Sequence, residues 1–186
     1  MLPMSDEVDG RPVPEQYEHL LEELNLDDHL TREVYAYFGL AAYLASVIEH
    51  GLVNIIVLSR VAEARAGKTP ITSDPWESSF KKTFGQLVHR FTKLSGDEER
   101  KLQEDLARCL TQRNFLIHGY WRERAETVMS QNGKLMMLEE LSEMHQDIRQ
   151  LNEEVDRVTF DIGESLGVSR EAAEAEYQRM LGSVAE

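Results

Sequence analysis

Apolar residues return at intervals of three or four positions along most of the chain, which is the spacing of one face of an α-helix. The widest such stripe runs from about Leu30 to Ala66, and Gly67 follows it as a stop signal. Because the stripe is wide, we predict a long central helix that contacts neighbouring helices on more than one side.

A second long stripe begins at Met137 and ends near Ile162, before Gly167. Its apolar positions alternate between spacings of three and four, which is typical of a coiled-coil or antiparallel-bundle seam. This seam can pack against the central helix of the same chain, or it can pair with a second chain.

Shorter helices are predicted around these two stripes. The segments Asp74-Pro75-Trp76-Glu77 and Ser95-Gly96-Asp97-Glu98 are both typical of a helix start, and Ser169 can cap another helix. The shorter helices are expected over Pro14–Leu26, from Asp74 to about Leu94, from Asp97 into segment 113–121, and over about Arg170–Leu181.

The region near 127–136 is ambiguous. Asn132-Gly133 is a strong turn pair, and apolar residues lie on both sides of it. The residues around this pair can form a small hairpin or a helix–turn–helix connection.

The pattern as a whole predicts an all-α protein, a helical bundle of about five to six helices. A length of 186 residues suits one domain with extensions. We expect residues 1–13 to form a flexible N-terminal tail, residues 14–166 to form the bundle, and residues 167–186 to form a short C-terminal helical extension.

Candidate chemistry is concentrated in segment 113–121, where Arg113, Asn114, His118 and Tyr120 are interleaved with apolar residues. In a helix, Asn114 and His118 would share one face, Arg113 and Tyr120 would share another, and Arg113 and His118 would lie roughly 140° apart. Three arrangements could still bring Arg113 and His118 to one ligand. The Arg side chain could reach round, the helix could distort near Gly119, or a second copy of the chain could supply the missing group.

The order of these residues, an Arg followed directly by Asn, then His five positions after the Arg and Tyr two positions later, resembles the signature of the HEPN superfamily. The resemblance is sharp over about residues 97–124 and architectural over roughly 30–165. It implies a HEPN-like all-α bundle, usually dimeric. Active members are metal-independent ribonucleases with the Arg and His at the dimer interface.

The resemblance implies an endoribonuclease of the toxin or defence type, which cuts RNA by attack of the 2′-OH at a site on the interface of a homodimer. Arg113, His118, Asn114 and Tyr120 would be its catalytic residues. Tyr120 also resembles the tyrosine that a nucleotidyltransferase antitoxin can adenylylate, so a modification of Tyr120 and a partner of that type are further expectations. The alternative is a non-catalytic all-α dimerisation domain in which Arg113 and His118 are structural, with Tyr120 packing locally.

The same roles follow from the chemistry of the side chains. An imidazole can move a proton near neutral pH, and a guanidinium can hold a phosphate and stabilise the negative charge that grows on it. Glu49, on the predicted central helix, can orient Arg113 or His118 through a hydrogen bond, or it can lie on the rim of the helix as His50 does.

Neither a metal nor a cofactor is expected. The six histidines are scattered without a metal-binding motif, and no phosphate-binding glycine loop is present. Cys109 is the single cysteine, and its place among apolar residues of a helix predicts a buried thiol.

The formal net charge of -14 argues against a general nucleic-acid binder, but it allows a local basic cleft. Basic residues concentrate between Lys81 and Lys93 and again between Arg108 and Arg124, where they form either such a cleft or solvated helix faces. No apolar run is long enough to span a membrane and no signal peptide is apparent, so we expect a cytoplasmic protein.

Overall fold

A computed structural model describes residues 7–8, 11–12 and 29–184. The all-α fold class is confirmed, with seven α-helices in the described residues. A two-residue antiparallel pairing joins β1 (Glu7–Val8) to β2 (Arg11–Pro12). The predicted helix Pro14–Leu26 and most of the predicted tail lie outside the described residues. The helices are α1 (His29–Arg65), α2 (Pro75–Phe80), α3 (Phe84–Leu94), α4 (Arg100–His118), α5 (Tyr120–Glu123), α6 (Gln131–Ser165) and α7 (Arg170–Val184).

The two long helices α1 and α6 pack along each other and form the centre of the bundle. The apolar seam of α6 faces α1, which confirms the intrachain alternative. Gly51 makes the close approach possible, because a Cβ atom there would collide with the side chain of Val155. The main core joins α1, α3, α4 and α6, and a second apolar cluster fills the end of the bundle where α4 meets α5.

Of the described helices, α1 alone is long and apolar enough to cross a membrane by length and composition. In its most apolar stretch, 44% of the residues are buried inside the bundle. The property is weak evidence for a membrane span, because the central helix of a helical bundle has the same composition.

The predicted helix from Asp74 to Leu94 is wrong in one respect, because two helices occupy this stretch. Asp74 caps α2 as predicted, accepting hydrogen bonds from the backbone N–H groups of Trp76 and Glu77. A new helix, α3, then begins after Thr83. The Thr83 hydroxyl and the Gln86 side chain form a capping box at its start.

The expected helix start around Asp97 is also shifted. Residues Asp97–Glu99 form a 3-10 turn without a side-chain cap, and α4 begins at Arg100.

The small hairpin considered near 127–136 is not formed. Thr127–Met129 is a 3-10 turn, and Asn132 and Gly133 lie in the first turn of α6. Ser130 caps this helix by accepting a hydrogen bond from the backbone N–H of Gly133. The carbonyl group of Thr127 lies where a side chain at Gly133 would stand, so glycine is needed here for space and not for a hairpin turn.

The predicted helix ends are confirmed at both long helices. Gly67 and Gly167 have positive φ angles of 71° and 82°, which favour glycine. Ser169 caps α7 through a hydrogen bond from the backbone N–H of Ala172, as the sequence predicts.

Candidate functional site

The end of α4 presents its polar residues to one side and its apolar residues to the bundle. Leu116 is buried in the second apolar cluster, whereas Asn114 and His118 are exposed. Ile117, between them, keeps 46% of its surface exposed. Asn114 and His118 therefore lie together on an open face, as their spacing predicts.

Arg113 is held by a carboxylate from the central helix. Its Nη2 atom lies 3.2 Å from Oε1 of Glu49, and both side chains are largely covered. Its Nη1 atom donates a hydrogen bond of 3.3 Å to Oδ1 of Asn114. Of the two alternatives for Glu49, the structure shows the orienting contact to Arg113. His50, the next residue, is exposed and meets the edge of the Phe80 ring.

This arrangement leaves the guanidinium with unused donors. An Arg side chain carries five N–H groups, and the contacts to Glu49 and Asn114 occupy two of its nitrogens. The ion pair fixes the position of Arg113, while further N–H groups stay available to an anion.

Tyr120 does not share a face with Arg113, and that expectation is wrong. Helix α4 ends at His118, Gly119 interrupts the helix, and Tyr120 begins α5. The Tyr120 side chain is 0% exposed, and its hydroxyl donates a long hydrogen bond of 3.5 Å to the Met137 carbonyl. Burial, with the nearby Glu140 carboxylate, raises the pKa of the Tyr120 phenol above its usual range. In this structure Tyr120 is a core residue, and a phosphate or a modifying enzyme would not reach its hydroxyl.

Tyr120 belongs to a partly buried cluster of side chains that sequence reasoning missed. Nε and Nη2 of Arg124 donate hydrogen bonds of 2.9 and 2.6 Å to the two carboxylate oxygens of Glu140. The guanidinium also lies over the rings of Phe115 and Tyr120, at 5.7 and 5.8 Å from their centroids. We call Phe115, Tyr120, Arg124 and Glu140 the aromatic joint. It fastens α5 to α6, so Arg124 is not a free cation of a basic cleft.

Next to the exposed end of α4, helix α1 carries exposed aromatic side chains. Tyr35 stacks obliquely on Trp121 at 4.9 Å, yet half of its surface stays exposed. Tyr43, two turns along α1, is 64% exposed. We call the exposed side chains of Asn114, Ile117 and His118, with Tyr35 against the nearby Trp121, the motif face. It combines exposed apolar groups with the imidazole and the amide.

Cys109 lies on the opposite, buried side of α4, as predicted. Burial, with Glu49 nearby, raises the pKa of its thiol to about 12. The thiol is therefore a core group and not a nucleophile at neutral pH. Within the described residues, no three His, Cys, Asp or Glu side chains are grouped as a metal site would require.

Comparisons with known proteins add no relative to this description. No protein-family model matches the chain, no curated protein matches it, and no solved structure matches its fold significantly.

Proposed function

We propose that the protein is a HEPN-like, metal-independent endoribonuclease that acts in the cytoplasm as a homodimer. The observation that carries the proposal is the geometry at the end of α4. His118 and Asn114 stand exposed on one side, and Glu49 holds the Arg113 guanidinium one turn before His118. A proton-transfer group and a fixed cation are the minimum that RNA cleavage requires, because the RNA brings its own nucleophile.

In the proposed reaction, His118 takes the proton of a ribose 2′-OH, and the oxygen attacks the adjacent phosphorus. The bond from phosphorus to the 5′-oxygen breaks, and that oxygen receives a proton from an imidazolium. The products are a 2′,3′-cyclic phosphate and a 5′-hydroxyl. Arg113 would stabilise the additional negative charge on the phosphate oxygens, and Asn114 would orient Arg113 or the scissile group.

A second copy of the chain completes this site in our proposal. Arg113 leans towards Glu49 on α1, whereas His118 points to solvent from the other side of α4. Pairing two motif faces about a two-fold axis would bring two copies of Arg113 and His118 together. The same pairing would cover Tyr35 and Ile117, which are 50% and 46% exposed in the single chain.

Modification of Tyr120 by a nucleotidyltransferase antitoxin is not part of this proposal, because the Tyr120 side chain is 0% exposed. The proposal therefore favours a ribonuclease whose control does not act through this hydroxyl. The buried phenol of Tyr120 contributes to the site indirectly, because its packing and its hydrogen bond hold α5 against α6.

The direct test is cleavage of a labelled single-stranded and a structured RNA by the wild-type protein and by His118→Ala. Wild type is expected to give products that end in a 2′,3′-cyclic phosphate, with or without EDTA. His118→Ala is expected to lose about 10²–10⁴-fold in rate because the proton-transfer group is missing. Wild-type cleavage that persists unchanged in His118→Ala would contradict the proposal and indicate a contaminating nuclease.

A non-catalytic dimerisation domain is the second candidate, and the intrachain Arg113–Glu49 pair favours it. An ion pair formed within one chain, with Ile117 exposed on the same helix, also suits a protein interface without catalysis. This candidate predicts no cleavage by wild type. It also predicts a dimer that dissociates more readily in Ile117→Asp, as measured by analytical ultracentrifugation.

A further inference from the structure

Helix α3 carries the longest stretch of the chain that lacks an acidic residue. No Asp or Glu occurs from Ser78 to Gly96, although the chain contains 34 acidic residues in all. Four Lys and Arg residues lie in this stretch. The protein as a whole has a net charge of -14 and should repel polyanions, but this segment is locally positive.

The basic residues of α3 itself, His89, Arg90 and Lys93, fall on one side of the helix. Successive positions on α3 turn by about 100°, which places its basic residues and Gln86 within roughly one third of the helix circumference. We call Lys82, Gln86, His89, Arg90 and Lys93 the basic stripe, which follows α3 over the roughly 16 Å length of that helix. A shallow depression of about 440 Å³ follows it, lined by Lys82, Gln86, His89, Arg90, Lys93 and Leu94.

Several basic residues outside the stripe have their charges engaged in ion pairs. Lys81 pairs with Glu77, Arg108 with Asp105, and Arg124 with Glu140. By contrast, Lys82, Arg90 and Lys93 form no ion pair with any residue in the part of the chain that the structure describes. Unpaired cations on one face are available to an external polyanion.

One end of the stripe adjoins the candidate site. A Cβ atom at Gly85, in the first turn of α3, would lie 3.6 Å from the side chain of Leu110, three residues before Arg113. Phe80, just before the stripe, meets the ring of His50, which follows Glu49. The start of α3 and the residue Phe80 before it therefore contact Leu110 and His50, which are near neighbours of Arg113 and Glu49 in the sequence.

We infer that the basic stripe binds the phosphate backbone of the RNA strand that enters the candidate site. This inference rests on the proposed ribonuclease function. At about 3.4 Å per nucleotide, the stripe spans about five nucleotides of a stacked strand. Single-stranded RNA suits it better than a lipid surface, because the stripe carries a row of charges and Leu94 is its only large apolar side chain in the described residues.

The test measures binding without cleavage. A fluorescein-labelled oligouridine is titrated with full-length His118→Ala protein at several salt concentrations, and anisotropy reports the affinity. The same background then carries Lys82→Gln, Arg90→Gln and Lys93→Gln together. A matched control carries Lys68→Gln, Lys101→Gln and Arg149→Gln, which removes the same charge from exposed positions elsewhere.

We expect the stripe variant to bind RNA roughly tenfold or more weakly at low salt. The plot of log affinity against log salt concentration has a negative slope, and its magnitude should decrease by about 2 in the stripe variant. Each lost phosphate contact on a single strand contributes about 0.7 to that magnitude. The control should keep the slope of its parent. Lys93→Gln alone should decrease the magnitude of this slope by about 0.7, and this single variant serves as a second test if the triple variant folds poorly.

Equal affinities and slopes in the stripe variant and the control would overturn the inference. So would binding of the parent to phosphatidylserine vesicles or to a polyglutamate peptide without binding to RNA. Failure of the proposed function is distinguishable, because it would appear as stripe-dependent RNA binding in a wild-type protein that does not cleave.

Discussion

The residues on the two sides of Gly119 come from one short segment but have opposite environments. Before it, Asn114 and His118 face solvent on the motif face. After it, Tyr120 is fully covered and joins Arg124 and Glu140 in the aromatic joint. Both halves contain polar groups that could serve chemistry, but the imidazole and the amide of the first half face solvent, whereas Tyr120 and Arg124 of the second half are held within the bundle.

This difference shows how a break in a helix redistributes side chains. If α4 continued without interruption, Tyr120 would point in nearly the same direction as Arg113. The helix ends at His118, where the backbone N–H of Gly119 donates a hydrogen bond of 2.7 Å to the Phe115 carbonyl. The new helix α5 then turns Tyr120 into the second apolar cluster. Substitutions on the two sides of Gly119 should therefore affect different properties of the protein.

The largest effect on stability is expected at Tyr120. Replacing it with Ala removes a fully buried aromatic ring and should lower the free energy of unfolding by about 3–5 kcal/mol. Tyr120→Phe should cost about 1 kcal/mol or less, because the hydrogen bond to Met137 is long. Urea unfolding followed by circular dichroism measures both. Equal stability of wild type and Tyr120→Ala would contradict the buried placement.

An intermediate effect on activity is expected at Glu49. Glu49→Gln leaves the size of the side chain unchanged but removes the charge that holds Arg113, so the rate of RNA cleavage should fall by up to about 10²-fold through misplacement of the guanidinium. Stability should change by about 1 kcal/mol or less, since both side chains are partly exposed. A rate equal to that of wild type would remove Glu49 from the site.

A smaller loss of stability is expected when Arg124 is replaced, and none when the nearby Arg122 is replaced. Arg124→Ala breaks the two hydrogen bonds to Glu140 and the contacts with two rings, and should cost about 1 kcal/mol. Arg122→Ala is the matched control, because the Arg122 side chain is 78% exposed and should have no measurable effect. Thermal melting of the two variants measures the difference, and equal losses would argue against the aromatic joint.

The last prediction concerns the buried side of α4. Because the pKa of the Cys109 thiol is raised to about 12, the thiol should react with iodoacetamide at pH 8 far more slowly than the thiol of the unfolded chain. Mass spectrometry after timed quenching, with and without guanidinium, measures the ratio. Equal rates would place Cys109 on the open side of the helix, with His118.

The apolar stripes of the sequence predict α1 and α6 well, because burial of a regular stripe decides where a long helix forms. The break at Thr83 was missed, although Thr83 and Gln86 have the spacing of a capping box, which is the signal that could have located it. Asn132-Gly133 was misleading because the glycine is required by the nearby Thr127 carbonyl, a contact that no local turn rule includes.

The candidate site was predictable in part for a similar reason. Asn114 and His118 share a face through local helical geometry, which spacing predicts. The burial of Tyr120 and the pairing of Arg124 with Glu140 depend on how α5 packs against α6, and spacing within the motif carries no information about that packing. The Arg113–Glu49 contact also joins distant parts of the chain, and chemical complementarity made it one of two open alternatives.

The most direct test of the contrast between the two sides of Gly119 measures RNA cleavage and thermal melting together for wild type, His118→Ala and Tyr120→Phe. We predict that His118→Ala melts within about 1 °C of wild type, as surface substitutions do, but loses about 10²–10⁴-fold in cleavage rate. Tyr120→Phe should cleave RNA at nearly the wild-type rate, because its hydroxyl does not reach the substrate. Abolished cleavage in Tyr120→Phe, or full cleavage in His118→Ala, would contradict the assignment of the motif face as the site and of Tyr120 as its support.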